Sequence, residues 1–244
     1  AKFAPRLSQY GLFTARYKPS RGMMWRTFTL GLPVAMTILF EVTLFSVVAL
    51  LLAPFGPATV AAHQVALNFS ALMFMFPMSL GMAAAIRVGY RIGQNRTKQA
   101  ATVVKSSLTI GLCVAVCTAL FTLTAKGVIV RLYTTDNAVY SMANALLIYA
   151  ALFQFSDAIQ VISANALRGY KDTTAMFLIT FCAYWLIGLP TGYVLGLTDW
   201  LGPARGPAGF WIGLIVGLSS AALFLGLRLR AVTRKPVYQH GLQH

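Results

Sequence analysis

Acidic residues are scarce in this 244-residue chain, with five Asp and Glu against twenty Lys and Arg. Charged residues of both signs make up only 10% of it and hydrophobic residues 58%. That is too little charge to cover the surface of a soluble domain of this length. Sequence signatures of enzymes are also missing. There is no GxxxxGK[ST] phosphate loop, no HExxH and no GxSxG, so nothing points to an enzyme and any active transport would draw on an ion gradient. The three cysteines, Cys113, Cys117 and Cys182, form no CxxC and no Cys/His cluster at zinc-ligand spacing. They read as small residues within apolar runs, without a disulfide. A cleavable signal is not recognisable either. Residues 1–27 are polar and basic and read as a cytoplasmic linker or leader, following something upstream of Ala1.

What the chain does have is long apolar runs and a mean hydropathy of +0.70. A membrane-spanning helix needs about 20 consecutive apolar residues. Six runs meet that length, at about 28–52, 60–86, 103–125, 143–167, 176–197 and 209–227. They are continuous, not alternating in segments of about ten, which excludes the strands of a β-barrel. The expected fold class is therefore all-α integral membrane, with a six-helix lobe over 28–230 and a cytoplasmic tail over 231–244. Pro33 falls in the expected first turn of the first helix, where proline is tolerated. Pro77 is interior to the second and can kink it. The stretch Arg131–Asn137 reads as the start of a short interfacial helix, and Trp200 and Trp211 as interfacial anchors. Gly209, Gly213 and Gly217 make a small-xxx-small face for close packing.

A net charge of +15 would suit a nucleic-acid partner, but its distribution argues against one. The basic residues collect in alternate gaps between the runs. Lys2, Arg6, Arg16, Lys18, Arg21 and Arg26 precede the first; Arg87, Arg91, Arg96, Lys98 and Lys105 follow the second. Arg168 and Lys171 follow the fourth, and Arg228, Arg230, Arg234 and Lys235 follow or close the sixth. The other gaps hold only Lys126, Arg131 and Arg205. Lys and Arg are retained on the cytoplasmic side of membranes, so both ends are expected in the cytoplasm and the number of spans is even. The partner is membrane lipid, with no nucleic acid.

With so few acids, each can be placed. Asp136, Asp172 and Asp199 fall in gaps and read as solvated loop or cap residues. Glu41 and Asp157 fall about 13 and 14 residues into the first and fourth runs. At 1.5 Å per residue both lie roughly 20 Å from their entry surface, near the midplane. A carboxylate there costs about 3 kcal/mol or more to insert and usually faces a bundle interior or a water-filled cavity. Two at one depth can share a cation, or exchange it for protons. Phe153, Asp157, Gln160 and Ala164 share one face of the fourth helix, with Gln154 and Asn165 near it. Gln64 and Asn68 lie one turn apart on the second. These amides either line a cavity or simply bond helix to helix. His63 reads as interfacial.

Several strings are familiar. Gly31-Leu32-Pro33-Val34-Ala35 with Phe40-Glu41-Val42-Thr43, then Val60-Ala61-Ala62-His63-Gln64-Val65-Ala66-Leu67-Asn68, resemble the seventh and eighth helices of the multidrug and toxic-compound extrusion (MATE) family. Pro77-Met78-Ser79-Leu80-Gly81, Arg87-Val88-Gly89 with Gly93, Gln154 to Asp157 with Gln160, and Leu167-Arg168-Gly169 with Lys171-Asp172 continue the likeness, closest to the NorM-like bacterial branch. The resemblance implies one lobe, the C-terminal, of a twelve-helix transporter in the bacterial inner membrane. The N-terminal six-helix lobe, from the same gene or a separate chain, would be its partner. It implies export of organic cations in exchange for Na⁺ or H⁺, with no other cofactor, and a cation site that maps onto Glu41 and Asp157. Where such relatives carry a tyrosine four residues before the aspartate, this chain has Phe153. Two other readings fit a membrane bundle: a lipid-linked sugar flippase of the same superfamily, and a non-transporting partner module. A flippase would be expected to place basic residues at midplane, and these runs have none.

Overall fold

The computed structural model describes residues 20–200 and 202–234. Most of the leader and tail read from the sequence (residues 1–19 and 235–244) lie outside the described residues. The described chain is helical throughout. Helix α1 spans Arg21–Leu52, α2 Pro57–Gly93, α3 Thr97–Tyr133 and α4 Asn137–Gly169. The fifth crossing is built from α5 (Thr173–Phe181), a π-helical stretch Cys182–Gly188, and α6 (Leu189–Leu197). Helix α7 spans Pro207–Arg234. Six of these crossings are long and apolar enough to span a membrane, and the chain is a multi-pass membrane protein.

Local chemistry marks the helix starts. Ser20 caps α1, its hydroxyl accepting from Met23 N at 3.1 Å. Asp136 caps α4 by accepting from the backbone of Ala138 and Val139. Pro57 and Pro207 each open a helix, where a missing N–H costs nothing. Between α1 and α2 the chain turns through a single 3₁₀ turn, Ala53–Phe55, and Gly56 at φ +94°, a conformation that favours glycine.

The helices depart from the sequence reading in two places. Helix α1 begins at Arg21, so Pro33 is interior to it and not in its first turn. Its ring removes one backbone bond inside the helix, as Pro77 does in α2. The stretch Arg131–Asn137 forms no short helix of its own. Arg131 to Tyr133 end α3, and α4 starts at Asn137 after a three-residue link.

Helix α4 is the hub. It packs against α2, α3 and α7, while α1 rests chiefly on α5 and α6 lies along α7. Accordingly α4 is buried over most of its length, whereas α1 buries a single stripe, Thr37, Leu44, Val48 and Leu52. The contact of the fifth crossing with α7 is made by glycine on both sides. Gly188, Gly192 and Gly196 face Gly209, Gly213 and Gly217, and a Cβ added to Gly217 would lie 3.0 Å from the Gly188 Cα. In lipid, where apolar burial does not drive helices together, such close backbone approach supplies dispersion contacts instead.

Candidate functional site

Glu41 extends the one buried stripe of α1, at the spacing of Thr37, Leu44 and Val48, and is itself partly buried. Asp157 sits on the hub helix and is only 4% exposed. Asp157 lies within the field of Glu41, and one turn along from each acid the rings of Phe45 and Phe153 meet between α1 and α4, so the two central acids lie at one level of the bundle. The other three acids have separate structural tasks. Asp136 caps α4, Asp199 accepts from Ala204 N at 2.9 Å, and Asp172 pairs with Arg228 Nε at 2.7 Å.

A third side chain joins the pair. Tyr184, 1% exposed, lies within the field of both Glu41 and Asp157. Its hydroxyl has no hydrogen-bond partner among the described residues. Tyr184 lies in the π-helical stretch, where an extra residue per turn re-aims side chains, a distortion common at functional sites. The next residue fixes that stretch to α1. Trp185 donates from its indole N–H to the Phe40 carbonyl at 3.2 Å, one residue before Glu41. The Phe40 ring meets Phe181 edge-on at 4.9 Å and Trp185 at 5.8 Å. On the other side, Gly188 is pressed against Gly217. The π-helical stretch is thereby held between α1 and α7.

A run of aromatic edges crosses the helix bundle beside Asp157. Phe45 meets Phe153, Phe153 meets Trp211, and Trp211 meets His63, with centroids 5.9–6.5 Å apart. Four helices, α1, α4, α7 and α2, are tied by these four rings. Two expectations are corrected here. An interfacial place for Trp211 and His63 does not hold: both are fully buried, because the glycine face draws the start of α7 into the bundle. Trp200 alone of that pair of tryptophans is exposed.

The amides divide. Gln160 is buried on the Asp157 face with its carbonyl oxygen unpartnered among the described residues. Gln154 turns to α3 and donates to Thr122 Oγ1 at 2.9 Å, making a helix-to-helix bond. Gln64 and Asn68 are exposed on the side of α2 opposite its buried stripe, and they do not join the carboxylates within this bundle. Among the described residues no three His, Cys, Asp or Glu side chains converge as a metal cluster. Two carboxylates and a phenol thus lie within one another's field, with the Gln160 amide one turn along from Asp157, and oxygens of these kinds suit a hard cation or a proton. Tyr184 was not legible in the sequence, since a tyrosine in an apolar run carries no charge to mark it.

Known proteins share both sequence and fold with this chain. It is 54% identical over 211 residues to the multidrug resistance protein MdtK of Edwardsiella ictaluri (strain 93-146), covering 86% of this chain and 46% of that protein. It is 55% identical over 218 residues to MdtK of Yersinia pestis (strain Pestoides F), covering 89% and 48%. The chain thus spans about half the length of these curated relatives. Among solved structures it superposes on the eukaryotic MATE transporter AtDTX14 with a TM-score of 0.81 and 24% identity, covering 94% of this chain and 54% of that one. It superposes on an outward-facing multidrug resistance MATE transporter of the MOP superfamily with a TM-score of 0.80 and 16% identity, covering 93% and 53%. The MatE family model matches residues 33–194. Over most of its length, then, the sequence carries the pattern of one family, and the chain belongs to the MatE family.

Proposed function

We propose that this chain is the C-terminal six-helix lobe of an antiporter that exports cationic drugs and toxic compounds in exchange for Na⁺ or H⁺. In this reading it sits in the bacterial inner membrane with both of its ends in the cytoplasm. The observation that carries the proposal is the nearness of Glu41 and Asp157, on two helices whose rings Phe45 and Phe153 meet one turn away. Relatives that are multidrug resistance proteins support the substrate class. The half-length match supports a second six-helix lobe as partner, with the drug cavity between the two.

The mechanism follows from competition at one place. A cation held between the carboxylates stabilises their ionised forms, and a proton on either one weakens its hold on the cation. The Tyr184 hydroxyl and the Gln160 carbonyl would add neutral oxygens, so an entering cation can exchange its hydration shell for protein donors. Whether the pair is loaded or empty changes the repulsion between α1 and α4. Helix α1 is the element best able to respond, since it buries one stripe only and has Pro33 two turns before Glu41. Coupling would then run from the cation site through α1 to the drug cavity.

The test is accumulation of a fluorescent lipophilic cation in pump-deficient cells that express the complete gene. The unmutated protein is expected to lower accumulation, and Glu41→Gln at equal protein level to abolish that effect. If Glu41→Gln still lowers accumulation fully, the site is not part of the coupling. If neither version lowers it, drug export itself is lost as an explanation.

A further inference from the structure

One stripe of the hub helix is left uncovered. Leu152, Phe155, Ser156 and Ile159 recur at i, i+3, i+4 and i+7 on α4, and each is partly or fully exposed while the residues beside them are buried. The cause is that α3 and α7 both pack on α4 but scarcely touch each other. Between them runs a groove of about 590 Å³. Its floor is closed by Ser156 and Ser219, whose hydroxyls are 2.7 Å apart. Its walls include Leu108, Leu223 and Leu227, and its mouth holds Lys105 from α3 and Arg230 from α7.

The dimensions and charges of this groove select an occupant. From Arg230 at the mouth to Ser219 at the floor is eleven residues of α7, about 16 Å along a helix. Half of the hydrocarbon core of a bilayer is about 15 Å. A groove one leaflet deep, apolar along its walls and cationic at its mouth, matches a lipid with an acyl chain and an anionic head. No Asp or Glu lines it, and neither Lys105 nor Arg230 makes an ion pair among the described residues. Ser163, fully buried, lines the same groove with its hydroxyl unpartnered among the described residues. Past Phe155 the groove gives way to a second, smaller hollow of about 190 Å³ lined by apolar residues such as Val116, Leu120, Ile148 and Leu152. No charge marks that one, so the cationic mouth is particular to one leaflet.

We propose that the α3–α4–α7 groove binds one anionic phospholipid of the leaflet on the C-terminal side, its head held by Lys105 and Arg230 and one acyl chain lying over Phe155 and Ile159. The excess of Lys and Arg on that side makes it the cytoplasmic leaflet. Basic pockets between transmembrane helices on that side are suited to anionic heads. This site is separate from the carboxylate pair, which occupies the Phe153–Asp157–Gln160 face of α4, and the proposal stands whether or not the coupling reading holds.

The test uses the purified complete transporter, stripped of lipid in detergent, with phosphatidylglycerol or phosphatidylcholine added back and bound lipid measured by native mass spectrometry. The unmutated protein is expected to retain phosphatidylglycerol over phosphatidylcholine. At about a factor of five for each basic residue near a membrane surface, Lys105→Gln with Arg230→Gln should weaken the anionic lipid roughly 10- to 30-fold. Lys105→Arg with Arg230→Lys should retain it, and Lys126→Gln, at the opposite end of α3, should leave it unchanged. Both mouth residues are exposed, so their loss should not move the lipid-free melting temperature. Equal retention of the two lipids by the unmutated protein, as when the partner lobe covers the groove, would overturn the proposal. So would equal phosphatidylglycerol binding by the neutralised variant.

Discussion

Tyr184 is the residue that most extends the proposed cation site beyond its two acids. A phenol hydroxyl can lend an oxygen to a bound cation or donate to a carboxylate, and hydrogen bonds to charged groups contribute about 1.5–3 kcal/mol. Tyr184→Phe keeps the ring and its packing and removes only that oxygen. The expected result is a protein that folds and reaches the membrane normally but needs roughly tenfold or more coupling cation for half-maximal transport. Unchanged cation dependence would reduce Tyr184 to packing. Glu41 and Asp157 were legible in the sequence because a carboxylate inside an apolar run stands out on insertion cost alone. Tyr184 and Trp185 carry no such mark. Their roles depend on the π-helical turn, which shifts the side-chain phase in a way a regular helical wheel does not contain. His63 and Trp211 failed for a related reason. Both residue types suit an interface, and only the tertiary closeness of α7 buries them.

Among the elements, the fifth crossing is the one that positions chemistry. It is held by the glycine face of α7 on one side and by the Trp185 bond to α1 on the other. Half of that glycine contact could be read directly, since Gly209, Gly213 and Gly217 repeat every four residues. The matching row Gly188, Gly192 and Gly196 repeats likewise, but pairing the rows needs the fold. The backbones are so close that Gly213→Leu would drive its side chain into Gly192 and Gly188. Forcing extra volume into a packed contact costs about 1–3 kcal/mol. Gly213→Leu should therefore lower the melting temperature of the purified transporter, and Gly31→Leu, whose site is open, should not. Equal behaviour of the two variants would mean that the glycine rows do not hold the crossing. The hub role of α4 was only partly visible beforehand. Its polar residues suggested a buried face, but burial on nearly every side follows from the packing of α2, α3 and α7 around it.

At the scale of the whole molecule, six apolar crossings followed from hydropathy, the most robust signal a membrane chain carries. The arrangement of those crossings did not, because helix contacts in lipid depend on small residues and single polar bonds, and a glycine repeat does not say which helix it faces. Glu41 and Asp157 lie near each other within this one chain, so the proposed shared cation site can be tested in the complete protein. The measurement is cation-driven drug uptake by proteoliposomes containing the complete protein, compared among Glu41→Gln, Asp157→Asn and the double variant. Residues that act as one unit are strongly non-additive when removed together. One shared cation site predicts that each single change abolishes coupled uptake and that the double change is no worse than either. Partial losses that add up in the double variant would contradict a shared site and assign the two carboxylates to separate tasks.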